Sequence, residues 1–363
     1  MTVIGTFEAF PFGKCWFGLV QDSITIAGTV VNPLLQRALT QEVPNAQQIG
    51  HEVLIDGEDY ATNIESIFLK AEENRITQTC QLVIIGKTPA SVVVGSSIEI
   101  KQSFKFDNGT QFTNSIFTGS IRMLQPAAGS RQTSTNITAF DAAESKLSNA
   151  PKNSTWTGTN ADLIRSELLN LGFMSIDLKF EEISLTAAGL TGFSTVRELV
   201  LAAASAIDEC VVYLDPNGIL CVRSISTLRQ SGITLPTTGY TYLQEIANAN
   251  DRYSTVTVQG STGASGSAVG TGAYTYEFTS AFPLTSVQCA AKATAIAARA
   301  ERMKRSCQIP VNPLLKMSSV FQVYDETTLR TCRLTGNSQT IQWTSTDSSP
   351  GAWAVITMED MPE

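Results

Sequence analysis

Apolar and polar positions alternate along the chain from residue 49 to residue 125. The strand-like runs are 51–55, 64–70, 76–86, 92–94, 98–106 and 111–124. A period of two is what a half-buried strand requires. Turn residues separate these runs, and Asn108-Gly109 between two of them is typical of a hairpin. Because no helical pattern intervenes, the sequence predicts a small β-barrel or β-sandwich here, which with a connecting strand occupies 49–158.

A helical period begins after residue 158. Thr159 is placed to cap a helix that ends near Gly172, and Thr195 with Glu198 matches a capping box at the start of a second helix. Two short apolar runs then flank the turn residues 215–218 and predict a hairpin. This order predicts an α+β insert domain, which we place at 159–248.

The β pattern returns after the insert. A strand-like run at 254–259 is followed by a Gly/Ser run, another strand, a helix from about Thr285 to Arg305, and several strands up to residue 358. This order predicts a second β domain with an embedded helix at 249–363. The predicted fold class is therefore α+β, mainly β, with two β domains separated by the α+β insert.

The first 48 residues form an irregular N-terminal segment that is rich in aromatic side chains near Pro11 and Gly13. Aromatic surface on so short a segment needs a partner. We therefore predict a docking arm at 1–48, whose interface residues are Phe10, Phe12, Trp16 and Phe17. The alternative, in which these aromatic side chains cap their own barrel, stays open.

Composition excludes several classes of function. Charged residues make up only 16% of the chain, against about 25% in typical proteins, and the net charge is −8. An acidic balance argues against a surface that grips nucleic-acid phosphates. No apolar run reaches the roughly 20 residues of a membrane-spanning helix, and no signal peptide is visible. The seven cysteines have no CxxC spacing, which predicts reduced, buried thiols and no metal site.

The candidate catalytic groups do not assemble into a known constellation. His51 is the single histidine, and we predict a structural or surface role for it. The Gly260–Gly272 run lacks both a lysine and a following helix, so it predicts a flexible hairpin tip and not a phosphate loop. Neighbouring acids point apart on a strand, so Glu72-Glu73 and Glu181-Glu182 are predicted to be solvated.

A basic cluster ends the predicted helix, from Arg299 to Arg305, and we predict a solvated helix end there and not an anion site. No nucleophile, base and orienting group come together. The sequence therefore predicts no catalytic residue, no cofactor and no bound metal, which favours a structural or assembly protein over an enzyme.

Four stretches of the chain resemble one family of assembly proteins. They are 53–60, the strand 116–121 followed by 138–143, the strand 250–260, and the helix from residue 285 that leads into 309–313. Their order is similar to that of the baseplate hub proteins of tailed bacteriophages, which are related to the hub part of type VI secretion spikes. The resemblance covers about residues 50–360 and leaves the N-terminal segment unaligned.

The resemblance implies that the two β domains, at 49–158 and 249–363, are small tube-like β-barrel domains separated by the α+β insert. It also implies a homotrimer in which six barrels close a pseudo-sixfold ring. Such a ring adapts the sixfold tail tube to the threefold central spike, and DNA passes through its lumen without specific binding. The implied partners are further copies of the chain, the tail tube protein and the central spike protein, with the tape measure and baseplate wedge proteins as further candidates. The implied location is the tail baseplate of a virion made in the host bacterial cytoplasm, without membrane insertion.

Two alternatives remain open from the sequence. The first is a tail-tip or distal-tail protein of a non-contractile phage, or a secretion-spike hub. The second is a tail-associated cell-wall hydrolase or carbohydrate-binding module, which the acids and four tryptophans would suit. These tryptophans are Trp16, Trp156, Trp343 and Trp353.

Overall fold

The computed structural model describes most of the chain from residue 46 onwards. The described ranges are 46–73, 75–86, 88–106, 111–128, 133–215, 218–228, 230–235, 243–246, 252–311, 315–325, 328–342 and 351–361. The predicted interface residues of the docking arm therefore lie outside the described residues. Among the described helices, none has the length and apolar character needed to span a membrane.

Seven strands form the first β unit. They are β1 (Ala46–Ile55), β2 (Glu58–Asp59), β3 (Ile64–Glu72), β4 (Thr79–Ile85), β5 (Ser97–Phe106), β6 (Gln111–Ala128) and β7 (Thr133–Asp141). All neighbours pair antiparallel in the order β2-β1-β5-β6-β7-β4-β3. The predicted alternation is visible in β4, where Cys80, Leu82 and Ile84 are buried. The sequence prediction of consecutive strands without a helix is confirmed for this unit.

In the structure the insert, for which the sequence predicted 159–248, comprises residues 144–224 and contains three short helices and five strands. These are α1 (Glu144–Leu147), β8 (Thr155–Thr159), α2 (Asn160–Asn170), β9 (Ile176–Lys179), β10 (Ser184–Gly189), α3 (Val196–Ala204), β11 (Cys210–Leu214) and β12 (Leu220–Ser224). Both predicted N-caps are confirmed. The Thr159 hydroxyl accepts a hydrogen bond from the backbone amide of Asp162, and the Thr195 hydroxyl accepts one from that of Glu198. The predicted hairpin is also confirmed, as β11 and β12 pair antiparallel.

The segment after the insert packs with the insert core. It comprises β15 (Tyr253–Gln259), β16 (Ser265–Val269), β17 (Tyr274–Thr279) and α4 (Ser286–Glu301). Val256 and Val258 of β15 share a hydrophobic cluster with Leu163 of α2 and Leu199 of α3. The domain boundaries stay a prediction, but the core packing groups this segment with the insert.

The Gly/Ser run at 260–272 differs from its prediction. Only residues 261–264 turn between β15 and β16, and β16 then pairs with β15 from Ser265 to Val269. A Cβ on Gly266 would lie 2.3 Å from the backbone nitrogen of Ala290, so glycine allows α4 to lie directly on the strand. Residues 265–269 are thus a strand on which α4 packs, and the turn of this hairpin is confined to residues 261–264.

Six strands form the second β unit. They are β13 (Gln230–Leu235), β14 (Leu243–Ile246), β18 (Lys304–Pro310), β19 (Val320–Asp325), β20 (Thr328–Gln342) and β21 (Gly351–Asp360). The preceding helix ends at Glu301, four residues before its predicted end, since Arg302 is already extended. From Lys304 onwards the backbone pairs with β21. The buried side chains of this unit form their own cluster around Phe321, Leu334 and Ile356.

The two β units are joined edge to edge. Strand β20 pairs antiparallel with β3 from Gly336↔Glu72 to Gln342↔Ser66. The result is one sheet of thirteen strands, and its described strands do not close into a barrel. The mainly β, α+β fold class is confirmed, but two separate barrels are not. The physical reason is that the edge strands β3 and β20 satisfy each other's backbone groups across the units.

Candidate assembly site

Six charged side chains from three parts of the chain meet in what we call the junction cluster. Its members are Glu73, Glu209, Arg299, Arg302, Arg333 and Glu359. Glu73 directly follows β3 of the first unit, and Glu209 precedes β11 of the insert. Arg333 and Glu359 belong to β20 and β21 of the second unit. The cluster therefore lies where the three parts of the chain meet.

Arg333 is the centre of the junction cluster. Its Nη2 atom lies 2.8 Å from Oε1 of Glu73, and its Nε atom lies 2.6 Å from Oε1 of Glu359. Arg333 and Glu359 are 0% and 1% exposed, so water does not compete for these contacts. Charge-assisted hydrogen bonds of this kind are roughly twice as strong as neutral ones.

Arg299 and Arg302 bring the helical segment into the cluster. Arg299, in the last turn of α4, places its Nη2 atom 2.9 Å from Oε2 of Glu73. The Nη1 atom of Arg302, just after α4, lies 2.8 Å from Oε2 of Glu209 and 2.9 Å from Oε1 of Glu359. Three carboxylates and three guanidinium groups thus balance one another, as a buried cluster requires.

The pKa values within the cluster reflect this balance. Burial alone would raise the pKa of Glu359, but the guanidinium groups of Arg333 and Arg299 hold it below its ordinary value. Burial holds the pKa of Glu209 above its ordinary value despite Arg302 and Arg299. The pKa of Arg299 is raised because its three carboxylate neighbours outweigh burial. The cluster is a network of mutually dependent charges.

These contacts correct two sequence predictions. The residues Arg299 to Arg305 are not a solvated helix end, because Arg302 and Arg305 are largely buried in ion pairs. Glu73 is buried as well, whereas its neighbour Glu72 pairs with Lys70 at the surface. Glu181 and Glu182 are exposed, as predicted. Local sequence does not reveal the cluster because its partners come from distant strands.

Arg333 and Glu359 were not predicted from the sequence at all. The one available signal is a charged residue beside apolar neighbours. Arg333 lies between Cys332 and Leu334, and Glu359 follows Met358. Both neighbours of Arg333 are fully buried. A charge at such a position needs a buried partner of opposite sign.

A cavity of about 520 Å³ lies among the same three parts of the chain. Leu69, Gln102 and Phe117 line it from the first β unit, and Phe173 and Met174 from the insert. The second unit completes the lining with Leu315, Met317, Asn337 and Gln339. The cavity is thus partly apolar and partly lined by side-chain amides, with Met174 91% exposed at its edge.

Three of these amides carry a buried oxygen that has no hydrogen-bond partner among the described residues. The atoms are Oε1 of Gln102, Oδ1 of Asn337 and Oε1 of Gln339. Asn337 and Gln339 lie opposite Ala71 and Leu69 of β3, which also line the cavity. A buried acceptor without a donor costs about 1–3 kcal/mol. Because these three oxygens have essentially no accessible surface, they lie behind the wall of the cavity and do not face its open volume.

His51 supports the wall of this cavity. It faces Gln102 across the β1–β5 pair, and the Nε2 atoms of the two side chains lie 3.0 Å apart, so the amide donates to the imidazole. Burial lowers the pKa of His51 to about 3, so the ring is neutral at pH 7. The predicted structural role of His51 agrees with this position.

The cysteine thiols and Trp156 of the described residues lie in packed surroundings. No group of histidine, cysteine and acidic side chains in the described ranges could hold a metal ion. Six cysteines are free and buried there, and burial raises the pKa of the Cys210 and Cys307 thiols to about 12. Cys15 lies outside the described residues. Trp156 packs against the hydrophobic core of the insert and donates its indole N–H to the Thr159 carbonyl at 3.1 Å.

The fold and the junction cluster define a class of mainly β protein in which two β units join in one sheet around an α+β insert. No protein family model matches the sequence. No curated protein matches it either. The structure, in contrast, is similar to several solved structures.

Two of these structures are tail proteins, and one of them comes from a prophage. The tail protein from Neisseria meningitidis MC58 has a TM-score of 0.67 and 14% identity, over 86% of this chain and 96% of that chain. The 43 kDa tail protein of prophage MuSo2 from Shewanella oneidensis has a TM-score of 0.66 and 11% identity, over 86% and 98%. The part shared with this chain makes up nearly the whole of each of these two tail proteins.

A third structure comes from a secretion machine. It is an E. coli component of the type VI secretion system, with a TM-score of 0.51 and 10% identity, over 86% of this chain and 77% of that chain. At these identities the likeness establishes the fold. The fold is therefore that of phage tail and type VI secretion proteins, as the resemblance in the sequence predicted.

Proposed function

We propose that the chain is a structural, non-enzymatic component of a phage-type tail. In this proposal it forms the trimeric central hub of the baseplate. The observation that carries the proposal is the single sheet that joins two β units, in a fold shared with tail proteins over 86% of the chain. The buried side chains of the two units fall into two main clusters, which supports two tube-like elements per chain in the proposed ring.

An arrangement of two β units in each chain would suit a tail in which sixfold and threefold parts meet. If the two units of each chain take equivalent positions in a trimer, they present six related surfaces, so one ring matches both a sixfold and a threefold neighbour. The β3–β20 pairing fixes the two units relative to each other, and the junction cluster reinforces that geometry. A hub of this kind would bind the tail tube protein on one side and the central spike protein on the other. The tape measure and baseplate wedge proteins would be further neighbours.

The charge of the chain suits a conduit for DNA. The net charge is −8, and an acidic lumen repels phosphates, so DNA would pass without binding. We propose that the lumen of the ring is net negative. A lumen lined with unpaired lysine and arginine side chains in a reconstruction of the oligomer would contradict this part of the proposal.

Light scattering coupled to size-exclusion chromatography tests the oligomer. We expect a mass near three times the 39.0 kDa of the chain. Pull-down with the tail tube and spike proteins from the same genome tests the partners. A stable monomer that binds neither of them would contradict the proposal. Turnover of purified peptidoglycan by the protein would instead support a tail-associated hydrolase.

A secretion-spike hub is the second candidate function. The similar E. coli component of the type VI secretion system favours it. The two candidates share the trimeric hub and differ in what passes through the machine. Co-purification with a virion, and the absence of secretion genes beside the gene, would favour the phage tail.

A further inference from the structure

Among the described residues, the insert shares almost no hydrophobic core with the large sheet. Residues 144–224 and 253–301, which we call the insert body, pack around one hydrophobic cluster, and their strands form three sheets of their own. The two β units have separate clusters, and a cavity of about 520 Å³ lies between them and the insert. Parts of a chain move relative to each other unless their interface is large and apolar. The few contacts between the insert body and the sheet therefore decide whether it stays in place.

The main apolar contact comes from the loop between β3 and β4. We call residues 75–78 of this loop the catch loop. Ile76 is the one described residue of the first β unit that is buried in the cluster of the insert body. It also forms an isolated parallel bridge with Tyr213 of β11, and the Leu214 amide donates to the Ile76 carbonyl at 3.4 Å. The catch loop thus joins the first β unit to the insert body through both side chain and backbone.

The backbone of Ile76 is strained in this position. Its φ angle is 66°, in the left-handed region that favours glycine, and a β-branched residue is an outlier there. Such strain persists only where the surrounding contacts hold the backbone in place, and it is typical of segments that switch. Here it is held by the burial of Ile76 in the insert body and by Thr77, whose hydroxyl donates to Glu144 of α1. Release of the catch loop from the insert body would relieve the strain.

The charged contacts of the insert body are also weaker than those between the two β units. Arg299 of α4 pairs with Glu73 at 2.9 Å, but its side chain is 37% exposed, so water weakens the pair. Burial raises the pKa of Glu209 above its ordinary value although Arg302 and Arg299 face it. When ionised, such a carboxylate favours the state in which water reaches it. Arg333, which links the two β units through Glu73, is in contrast fully buried.

We propose that the insert body is a hinged element, held on the sheet by the catch loop, that swings away while the two β units stay joined. The short links 142–143 and 302–303 connect the sheet to the insert body, so the insert body pivots and does not detach. The β3–β20 pairing and Arg333 hold the two β units together in both positions. This motion does not rest on the proposed hub function, because it takes place within one chain.

Single-molecule fluorescence energy transfer in the full-length protein measures the position of the insert body. One dye is attached to an unnatural amino acid at Val94 of the first β unit, and the other at Leu169 of the insert body. Both positions are exposed, at 60% and 59%. Labelled chains are diluted into unlabelled ones, so that each oligomer carries one pair of dyes. We expect one dominant transfer efficiency in the wild type and a minor population at a second value.

Two isoleucine residues provide matched variants. Ile76→Ala removes the side chain that anchors the catch loop and should increase the second population severalfold. Ile84→Ala removes the same side chain from the core of the first β unit and should leave the distribution unchanged. The milder Ile76→Val should give a smaller shift in the same direction, and it replaces the alanine variant if that one does not fold. A wild-type distribution in both Ile76 variants, or equal shifts for Ile76→Ala and Ile84→Ala, would overturn the proposal.

Hydrogen exchange separates release of the insert body from its unfolding. In Ile76→Ala, the peptide that contains Leu214, whose amide donates to the catch loop, should exchange severalfold faster than in the wild type. The amides of α3, inside the insert body, should exchange at the wild-type rate. If the amides of α3 become faster together with Leu214, the insert body unfolds and does not pivot, and the proposal is wrong.

Discussion

Arg333 and Glu359 lie directly opposite each other on β20 and β21, with 2.6 Å between Nε of Arg333 and Oε1 of Glu359. Both side chains are fully buried. Arg333 also reaches Glu73 at the end of β3, so one side chain links the first β unit to the second. This link stands beside the strand pairing as a second connection between the units.

Replacing Arg333 with methionine should destabilise the protein by about 3–5 kcal/mol, because breaking a buried ion pair leaves an uncompensated charge. Urea unfolding followed by circular dichroism measures the change. Arg165→Met is the matched control, since Arg165 forms an exposed pair with Asp162 at 3.1 Å. That variant should lose less than about 1 kcal/mol. Similar losses for the two variants would contradict a structural role of the junction cluster.

Ile341 tests whether the two β units share a core. It belongs to β20 of the second unit, yet it is 0% exposed and packs in the core of the first unit. Ile341→Ala should cost about 2–5 kcal/mol, whereas the neighbouring Thr340→Ala should change stability by no more than about 0.5 kcal/mol. An Ile341→Ala variant as stable as wild type would show that the β3–β20 junction is not packed as described.

Gly266 tests the packing of α4 on β16. Gly266→Ala would place a Cβ 2.3 Å from the Ala290 nitrogen, so the helix must shift. Overpacking of this kind costs about 1–3 kcal/mol. Gly192→Ala is the control, since its Cβ would meet nothing within 4 Å. If both variants melt at the same temperature as wild type, residues 265–269 form the flexible tip that the composition predicted.

The single histidine gives the protein a predictable dependence on pH. Burial lowers the pKa of His51 to about 3 in the folded protein, against about 6.5 when unfolded. The unfolded state therefore binds the proton first, and stability falls as the pH drops from about 6.5 towards 3. At about 1.4 kcal/mol per pH unit, the loss between pH 6.5 and 5 is about 2 kcal/mol.

His51→Gln removes that contribution and keeps a partner for Gln102. Its urea midpoint should change less between pH 7 and pH 5 than that of the wild type, while the carboxylates contribute equally to both proteins. Identical pH profiles for the two proteins would show that His51 is protonated as easily in the folded state as in the unfolded one.

The sequence predicted those elements whose signals are local. Thr159 and Thr195 mark helix starts because a cap needs only residues within one turn. Apolar and polar residues alternate along β4. This pattern predicts a strand because it depends only on residues within that strand. The β–(α+β)–β order followed from such signals.

The relations between distant parts of the chain were not predicted from the sequence. Arg333 and Glu73 are 260 positions apart, so neither residue indicates the other. The pairing of β3 with β20 likewise depends on which edges remain free once each unit has folded. The composition of Ser265–Val269 predicts a flexible tip, but its small residues instead allow α4 to pack closely on a strand. Tertiary packing overrides composition at each of these positions.

A reconstruction of the purified oligomer by electron cryomicroscopy tests the central claim most directly. The proposed hub predicts a ring of three chains in which six β units, two from each chain, surround an open lumen with pseudo-sixfold symmetry. A particle without threefold symmetry, or one in which the two β units of a chain occupy unrelated positions, would contradict the proposal.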